Sequence, residues 1–298
     1  MAKIGIIGGT GFSEFVTDYK AVDTDYGPVK VGALQLGGKD VAFISRHAGL
    51  EVPHLVNYRA NIQALKLEGV DKVYAVSACG RLGREAWPGS LGAVKDVDWD
   101  DLGRVMTFAE PGLLLHASMD EPFSQALRKR LFDAFNLCHN ELGDLYDGSS
   151  GLELKFHNFG TYFNIDGPAF STPAREARLR TTVHDALFIG QTLVPEVHLA
   201  REMAIAYSAL AMCVDHSNFP GAPPVAHADG VMHAVKYTAQ AARILLDYAV
   251  RLTDDDLSDP AHGAFKHSLH SSQVDLERLE RSGRKNLTSI LCAELESR

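Results

Sequence analysis

The chain has 298 residues, enough for one large α/β domain or two small ones. Apolar residues make up 46% and charged residues 22%, an ordinary balance for a globular protein with a buried core. A net charge of -9 argues against a nucleic acid or an anionic membrane as the main partner, but allows a small anion in a local pocket.

In chain order, the apolar run at residues 4–7 predicts a buried strand, and Gly8-Gly9-Thr10-Gly11 predicts a tight turn directly after it. Glycines there allow backbone N–H groups to approach an oxyanion closely, so the turn reads as a phosphate-binding loop. Two other readings stay open. One is a purely structural turn. The other is a nicotinamide fold, for which Gly9-Thr10-Gly11-Phe12-Ser13-Glu14 lacks the last glycine while Asp23 and Asp25 stand near the place of a ribose-binding acid. Lys3 runs straight into the strand, and no apolar run reaches spanning length, so a cytoplasmic location is expected. Cys79, Cys138, Cys213 and Cys292 lack C-x-x-C spacing and read as free thiols.

Further strands are predicted at 41–45, 73–77, 159–165, 186–189 and 206–214, with helices at 57–65, 123–135, 194–204 and 231–252. The alternation implies a three-layer α/β domain. Residues 140–157, with Gly148-Ser149-Ser150-Gly151, read as a surface insertion, and a polar loop from Asp254 leads to a C-terminal helix at 274–296. His262, His267 and His270 are read as solvent-facing histidines rather than a metal site, because no acid or cysteine completes a ligand set.

Four separated segments belong together. They are the glycine turn; Ser45-Arg46-His47 followed by Val56-Asn57-Tyr58-Arg59-Ala60-Asn61-Ile62; Val76-Ser77-Ala78-Cys79-Gly80; and the stretch containing Asp166-Gly167-Pro168-Ala169-Phe170-Ser171-Thr172 and Thr192-Leu193-Val194-Pro195-Glu196-Val197. In this order they resemble the trimeric purine nucleoside phosphorylase family over about residues 3–250, most of all its 5′-methylthioadenosine phosphorylase branch. The resemblance implies a single α/β domain over 1–298, with a curved mixed β-sheet surrounded by helices. It also implies reversible phosphorolysis of a 5′-modified purine nucleoside in a homotrimer. Inorganic phosphate is the co-substrate, with no metal or organic cofactor. Phosphorolysis of a 6-oxopurine nucleoside, and nucleoside binding without turnover, remain as alternatives.

The residues carry a physical reading beside the resemblance. Thr10 and its turn supply donors to one side of a phosphate, Arg46 offers a planar fork, and His47 adds a further hydrogen bond. Ser77 and the N–H of Ala78 lie where a buried strand ends, and Thr192 stands just before the helix that opens at Pro195. The alternatives are a surface Arg46–His47 pair and a plain helix cap at Thr192.

On the nucleoside side, the resemblance places Phe170 against the purine, and His116 is similar to the histidine one subunit lends to its neighbour's 5′ pocket. Either residue could instead belong to the core. Gln191 replaces a methionine that packs on the ribose and offers a hydrogen bond to a sugar hydroxyl. The 6-aminopurine branch carries D-x-D after the last strand. Here the run is Asp215-His216-Ser217-Asn218, with Asp215 as general acid at N7 and Ser217 in the second slot, where its hydroxyl can donate or accept. Asp215 favours adenine, Ser217 weakens that inference, and Asn218 stands beside as a substitute. A turn cap is the alternative for Asp215. Ala169, Arg175 (with Glu176 next to it) and Ser90 also depart from the family's arginine, acid and aspartate.

Overall fold

The computed structural model describes residues 4–12, 16, 18–47, 52–146, 152, 154–221, 228–263 and 274–296. Among them, eleven strands form one branched sheet. Its centre is four parallel strands in the order β4 (Lys39–Ser45), β1 (Ile4–Gly8), β5 (Lys72–Arg81) and β11 (Ala206–Asp215). These strands are apolar on both faces because both are covered. On one face α1 (Tyr58–Leu67) and α4 (Leu193–Glu202) bury Ile62, Leu65, Val197 and Leu199. On the other, α2 (Gln125–Leu145) and α5 (Ala228–Leu252) bury Leu127, Leu131, Leu245 and Leu246. Three layers result, as the alternating pattern predicts.

The branch point positions the site. β1 pairs with β5 only over Lys72–Ala75. Farther along the same strand, β10 (Ala186–Gly190) pairs antiparallel at Gly80 and Arg81. Val76–Cys79 therefore lies in a gap between two partners, while β11 follows the opposite edge up to Asp215. The carboxyl ends of β1, β4, β5 and β11 converge there, which is where open α/β sheets hold ligands.

β2 (Tyr19–Thr24) and β3 (Gly27–Leu36) form a hairpin that feeds β4, and they escaped the sequence reading. β9 (Thr161–Asn164) runs parallel to β10 and to β7 (Asp96–Trp99), and β6 (Leu91–Ala93) joins β11 to β8 (Phe156–His157). α3 (Pro173–Thr182) was also missed; Thr172 caps it by accepting from the N–H of Arg175, and Pro173 opens it.

Two expected boundaries move. Helix α2 runs on through Leu145, so the supposed insertion at 140–157 begins as helix; its residues 147–151 and 153 lie outside the described residues. The C-terminal helix is two helices, α6 (Leu276–Arg281) and α7 (Lys285–Glu296), parted where Gly283 adopts φ +85°. Asp25 anchors the second: its carboxylate accepts from the N–H groups of Asn286 at 3.0 Å and Leu287 at 2.7 Å, a favourable charge at a helix N-terminus. That role leaves Asp25 committed to the fold rather than to a ribose. His262 sits against the carbonyl of Asp71 at 2.9 Å, and His267 and His270 lie outside the described residues. No helix among the described residues is long and apolar enough to cross a membrane.

Candidate active site

A cavity of about 1070 Å³ opens at the converging strand ends. Its walls include Thr10, His47, Ala78, Phe170, Gln191, Thr192, Asp215 and Ser217. Eight of the sequence-predicted positions thus share one space, although they come from six separate stretches of chain.

The strand register explains the anion end. β10 runs antiparallel to β5 with Phe188 opposite Arg81 and Ile189 opposite Gly80. Continuing that register carries Thr192 to Ser77, and their hydroxyl oxygens lie 3.0 Å apart. The Tyr162 hydroxyl, 2.9 Å from Ser77, completes a buried trio, with burial pushing its phenol up to about 12. Ser77 therefore stands one layer behind the wall that Ala78 and Thr192 form. Thr192 makes no side-chain cap hydrogen bond, so the plain capping reading fails. The helix it precedes is broken in its first turn at Val194, whose N–H donates to Asn164 Oδ1 at 3.0 Å.

Arg46 does not join the wall. Its side chain has no exposed surface, and Nε and Nη2 donate to the two carboxylate oxygens of Glu196 at 2.7 and 2.8 Å. Nη1 donates to the carbonyl of Val76 at 2.7 Å, and a Cβ added at Gly9 would meet that same nitrogen at 2.9 Å. Arg46 thus braces the glycine turn from behind. The sequence could not separate this from direct contact, since both uses call for a fork-shaped cation next to a buried strand. The surface-pair reading of Arg46 and His47 fails equally.

At the base end, a Cβ at Gly80 would lie 2.9 Å from Asp215 Oδ1, so glycine there makes room for the acid. Asp215 Oδ1 accepts from the N–H of Ser217 at 2.6 Å, so the acid does cap its own turn, with the other oxygen uncommitted among the described residues. Burial raises the Asp215 carboxyl, the Ser217 N–H pulls it back, and the Glu176 carboxylate pushes it up again. Ser217 donates its hydroxyl to Glu176 Oε1 at 2.7 Å. Asn218 donates its N–H to Glu176 Oε2 at 2.9 Å, and its side-chain amide to Glu176 Oε1 and to the carbonyl of Ser171. Asn218 therefore serves the loop and is absent from the cavity wall. Phe170 is 76% exposed and His116 is exposed, so neither is a core residue; His116 lies outside this chain's cavity wall.

The family departures have structural partners. Arg175 pairs with Asp100 at 2.7 Å, and Ser90 closes its turn by donating to the carbonyl of Trp87 at 2.6 Å. Gln191 packs on Gly167 and reaches the carbonyl of Ala169 at 3.4 Å. Sequence reasoning missed Arg104, which donates to the carbonyls of Gln191, Val194 and Asp166 at 2.8, 2.6 and 2.6 Å. It ties the loop of Thr192 to the loop of Phe170, also reaching the Tyr58 hydroxyl at 3.4 Å, and no local pattern marks an arginine bonded mainly to carbonyls. The cavity-facing side of α5, with Val231, Val235 and Lys236, was likewise read only as a helix.

A sequence profile described as the phosphorylase superfamily matches residues 3–250. The chain belongs to this superfamily. It is 39% identical over 257 residues to the S-methyl-5′-thioadenosine phosphorylase of Hyperthermus butylicus, covering 82% of this chain and 86% of that one. The corresponding protein of Pyrococcus horikoshii is 35% identical over 258 residues, covering 84% and 92%. Among solved structures, a methylthioadenosine phosphorylase from an antarctic soil metagenomic library superposes with a TM-score of 0.81 at 30% identity, over 96% of this chain and 98% of that one. The Schistosoma mansoni methylthioadenosine phosphorylase, solved with adenine, gives 0.73 at 29% identity, over 85% and 91%. The α/β phosphorylase fold with its mixed sheet is therefore the fold of this chain.

Proposed function

We propose that this phosphorylase catalyses reversible phosphorolysis of a 5′-modified adenine nucleoside of the methylthioadenosine kind. The observation that carries the reading is the two-ended cavity: hydroxyl, imidazole and backbone donors of Thr10, His47, Thr192 and Ala78 at one end, and the carboxyl of Asp215 at the other. Phosphate binds at the first end, where donors from the turns after β1, β4 and β10 and from within β5 face it. The C–N bond of the nucleoside stretches first, and positive charge grows on the sugar. The phosphate dianion stabilises that charge and then attacks C1′. The base leaves as N7 takes a proton, which the raised Asp215 carboxyl supplies as general acid. Ser77, Tyr162 and Arg46 act behind the wall by fixing Thr192 and the glycine turn.

The exposed His116 suits a role in a neighbouring subunit's 5′ pocket, which makes the working unit a homotrimer. Scattered free thiols support a cytoplasmic setting. The test is release of free adenine from 5′-methylthioadenosine, with and without phosphate, with the ribose 1-phosphate derivative as second product. Phosphate-dependent release is expected. Hypoxanthine released faster from the inosine counterpart would favour the 6-oxopurine reading, and release without phosphate would overturn both. Light scattering that finds a monomer at working concentration would overturn the trimer.

A further inference from the structure

Glu176 lies on α3, outside the cavity wall, with no exposed side-chain surface. A carboxylate so placed only accepts hydrogen bonds. It receives four: the Ser217 hydroxyl at 2.7 Å, the Asn218 N–H at 2.9 Å, the Asn218 amide at 2.9 Å and Arg180 Nη1 at 3.4 Å. A serine hydroxyl has one proton and two lone pairs. The proton of Ser217 is spent on Glu176, so the side of Ser217 that faces the cavity carries lone pairs alone.

We propose that Glu176 is a specificity-determining positioning residue, which holds the Ser217 hydroxyl so that this serine selects a purine edge bearing an amino group. The inference deepens the proposed adenine-nucleoside reaction and rests on that reading for the position of the base. It also sharpens what the sequence left open, since a free serine donates or accepts while this one is fixed as an acceptor. A 6-oxo group would meet an acceptor and lose a hydrogen bond in a partly desolvated site.

The backbone makes the arrangement testable. The N–H of Asn218 cannot reverse, so a glutamine at 176 must turn its oxygen toward that N–H. Its amide nitrogen then faces Ser217 and donates to it. Ser217 in turn swings its own proton into the cavity and welcomes a 6-oxo group.

The experiment compares wild type, Glu176→Gln, Ser217→Ala and the double variant. Two ratios are read for each. One is kcat/KM for 5′-methylthioadenosine over its inosine counterpart, and the other is the affinity for free adenine over hypoxanthine by calorimetry. Both wild-type ratios should exceed one. Glu176→Gln should lower them about tenfold or more, the usual penalty range for a mismatched hydrogen-bonding edge. In the Ser217→Ala background Glu176→Gln should change nothing further, because the group it orients is gone. A merely structural role would lower activity on both nucleosides and leave the ratios in place, and that result overturns the proposal. If Glu176→Gln does not fold, unchanged ratios in Ser217→Ala overturn it. Loss of turnover with a Glu176-dependent adenine preference retained would overturn the reaction and keep the recognition.

Discussion

Arg46 and Glu196, 150 residues apart in sequence, face each other through two N–H···O bonds of 2.7 and 2.8 Å with both side chains out of solvent. The Tyr207 hydroxyl donates to Glu196 Oε1 at 2.6 Å. Burial alone would favour a neutral guanidinium, but the Glu196 carboxylate outweighs it and holds Arg46 more firmly charged than usual. The pair therefore clamps β4, which delivers Arg46 and His47, to the helix that follows Thr192.

Breaking this pair is expected to damage the fold before it damages phosphate binding. Arg46→Ala or Glu196→Ala leaves an unpaired buried charge and should cost about 3–5 kcal/mol in urea unfolding. An Arg46→Met/Glu196→Leu double variant, which removes both charges, should cost less than either single change. Unchanged stability in Arg46→Ala, with loss confined to phosphate KM, would instead mean that Arg46 swings out to the anion.

The Ser77–Thr192 hydroxyl pair at the anion end should behave as one unit. Thr192→Val removes a wall donor and is expected to raise the phosphate KM roughly tenfold, equivalent to about 1.4 kcal/mol, with a smaller change in nucleoside KM. Ser77→Ala acts through Thr192 across 3.0 Å, so the double variant should fall short of the sum of the singles. Strict additivity would place the two hydroxyls on separate ligands.

The sequence revealed those parts whose chemistry is written in short runs. The parallel core strands read as continuous apolar segments, and the glycine turn, Thr192 and Asp215 fall near strand ends and line the cavity; Ser77-Ala78, expected at an end, lies inside β5, which runs on to Arg81, with Ala78 in the wall and Ser77 behind it. The β2–β3 hairpin escaped because its strands are only partly buried and their pattern is mixed. Helix α3 escaped because only Glu176 and Leu179 of its ten residues are buried, which leaves no apolar stripe to see. Arg46 was recognised as part of the site but given the wrong neighbour, since nothing local says that a glutamate 150 positions away takes both ends of its fork. Glu176 was visible only as an acid one place from its expected slot.

Asp215→Asn should gain stability at neutral pH and lose activity. The Asp215 carboxyl is raised above 3.8 by burial, so the folded state holds the proton more tightly than the unfolded chain does. The stabilising contribution of that proton is full below about 3.9, the unfolded value, and is lost as pH rises through the folded value. Asp215→Asn keeps an oxygen for the Ser217 N–H and carries no charge, so it should unfold at a higher temperature than wild type at pH 7. The advantage should vanish in acid below about pH 4, where wild type is protonated in both states. Its activity on 5′-methylthioadenosine should fall, because N7 loses its proton source. A pH-independent stability difference would show that Asp215 does not titrate above its ordinary range.

Ser217→Asp restores the second acid of the 6-aminopurine pattern, and the sequence alone expects it to sharpen the preference for adenine. The geometry expects otherwise. Position 217 has φ 50°, a backbone that aspartate tolerates, so the outcome turns on charge. Glu176 Oε1 sits 2.7 Å from the present hydroxyl and already accepts from Asn218. A second carboxylate there would face the first with no proton between them, and one must take up a proton or both must separate. Ser217→Asp alone should therefore lose about 1–3 kcal/mol, the cost of an unsatisfied buried acceptor. Adding Glu176→Gln supplies a donor to the new carboxylate, and the double variant should regain most of that stability. Only this double variant should show the sharpened ratio of kcat/KM for the adenine over the hypoxanthine nucleoside. Thermal unfolding and the two-nucleoside assay on the four proteins decide it. If Ser217→Asp alone is as stable as wild type and more selective, Glu176 is not the partner that fixes the base edge.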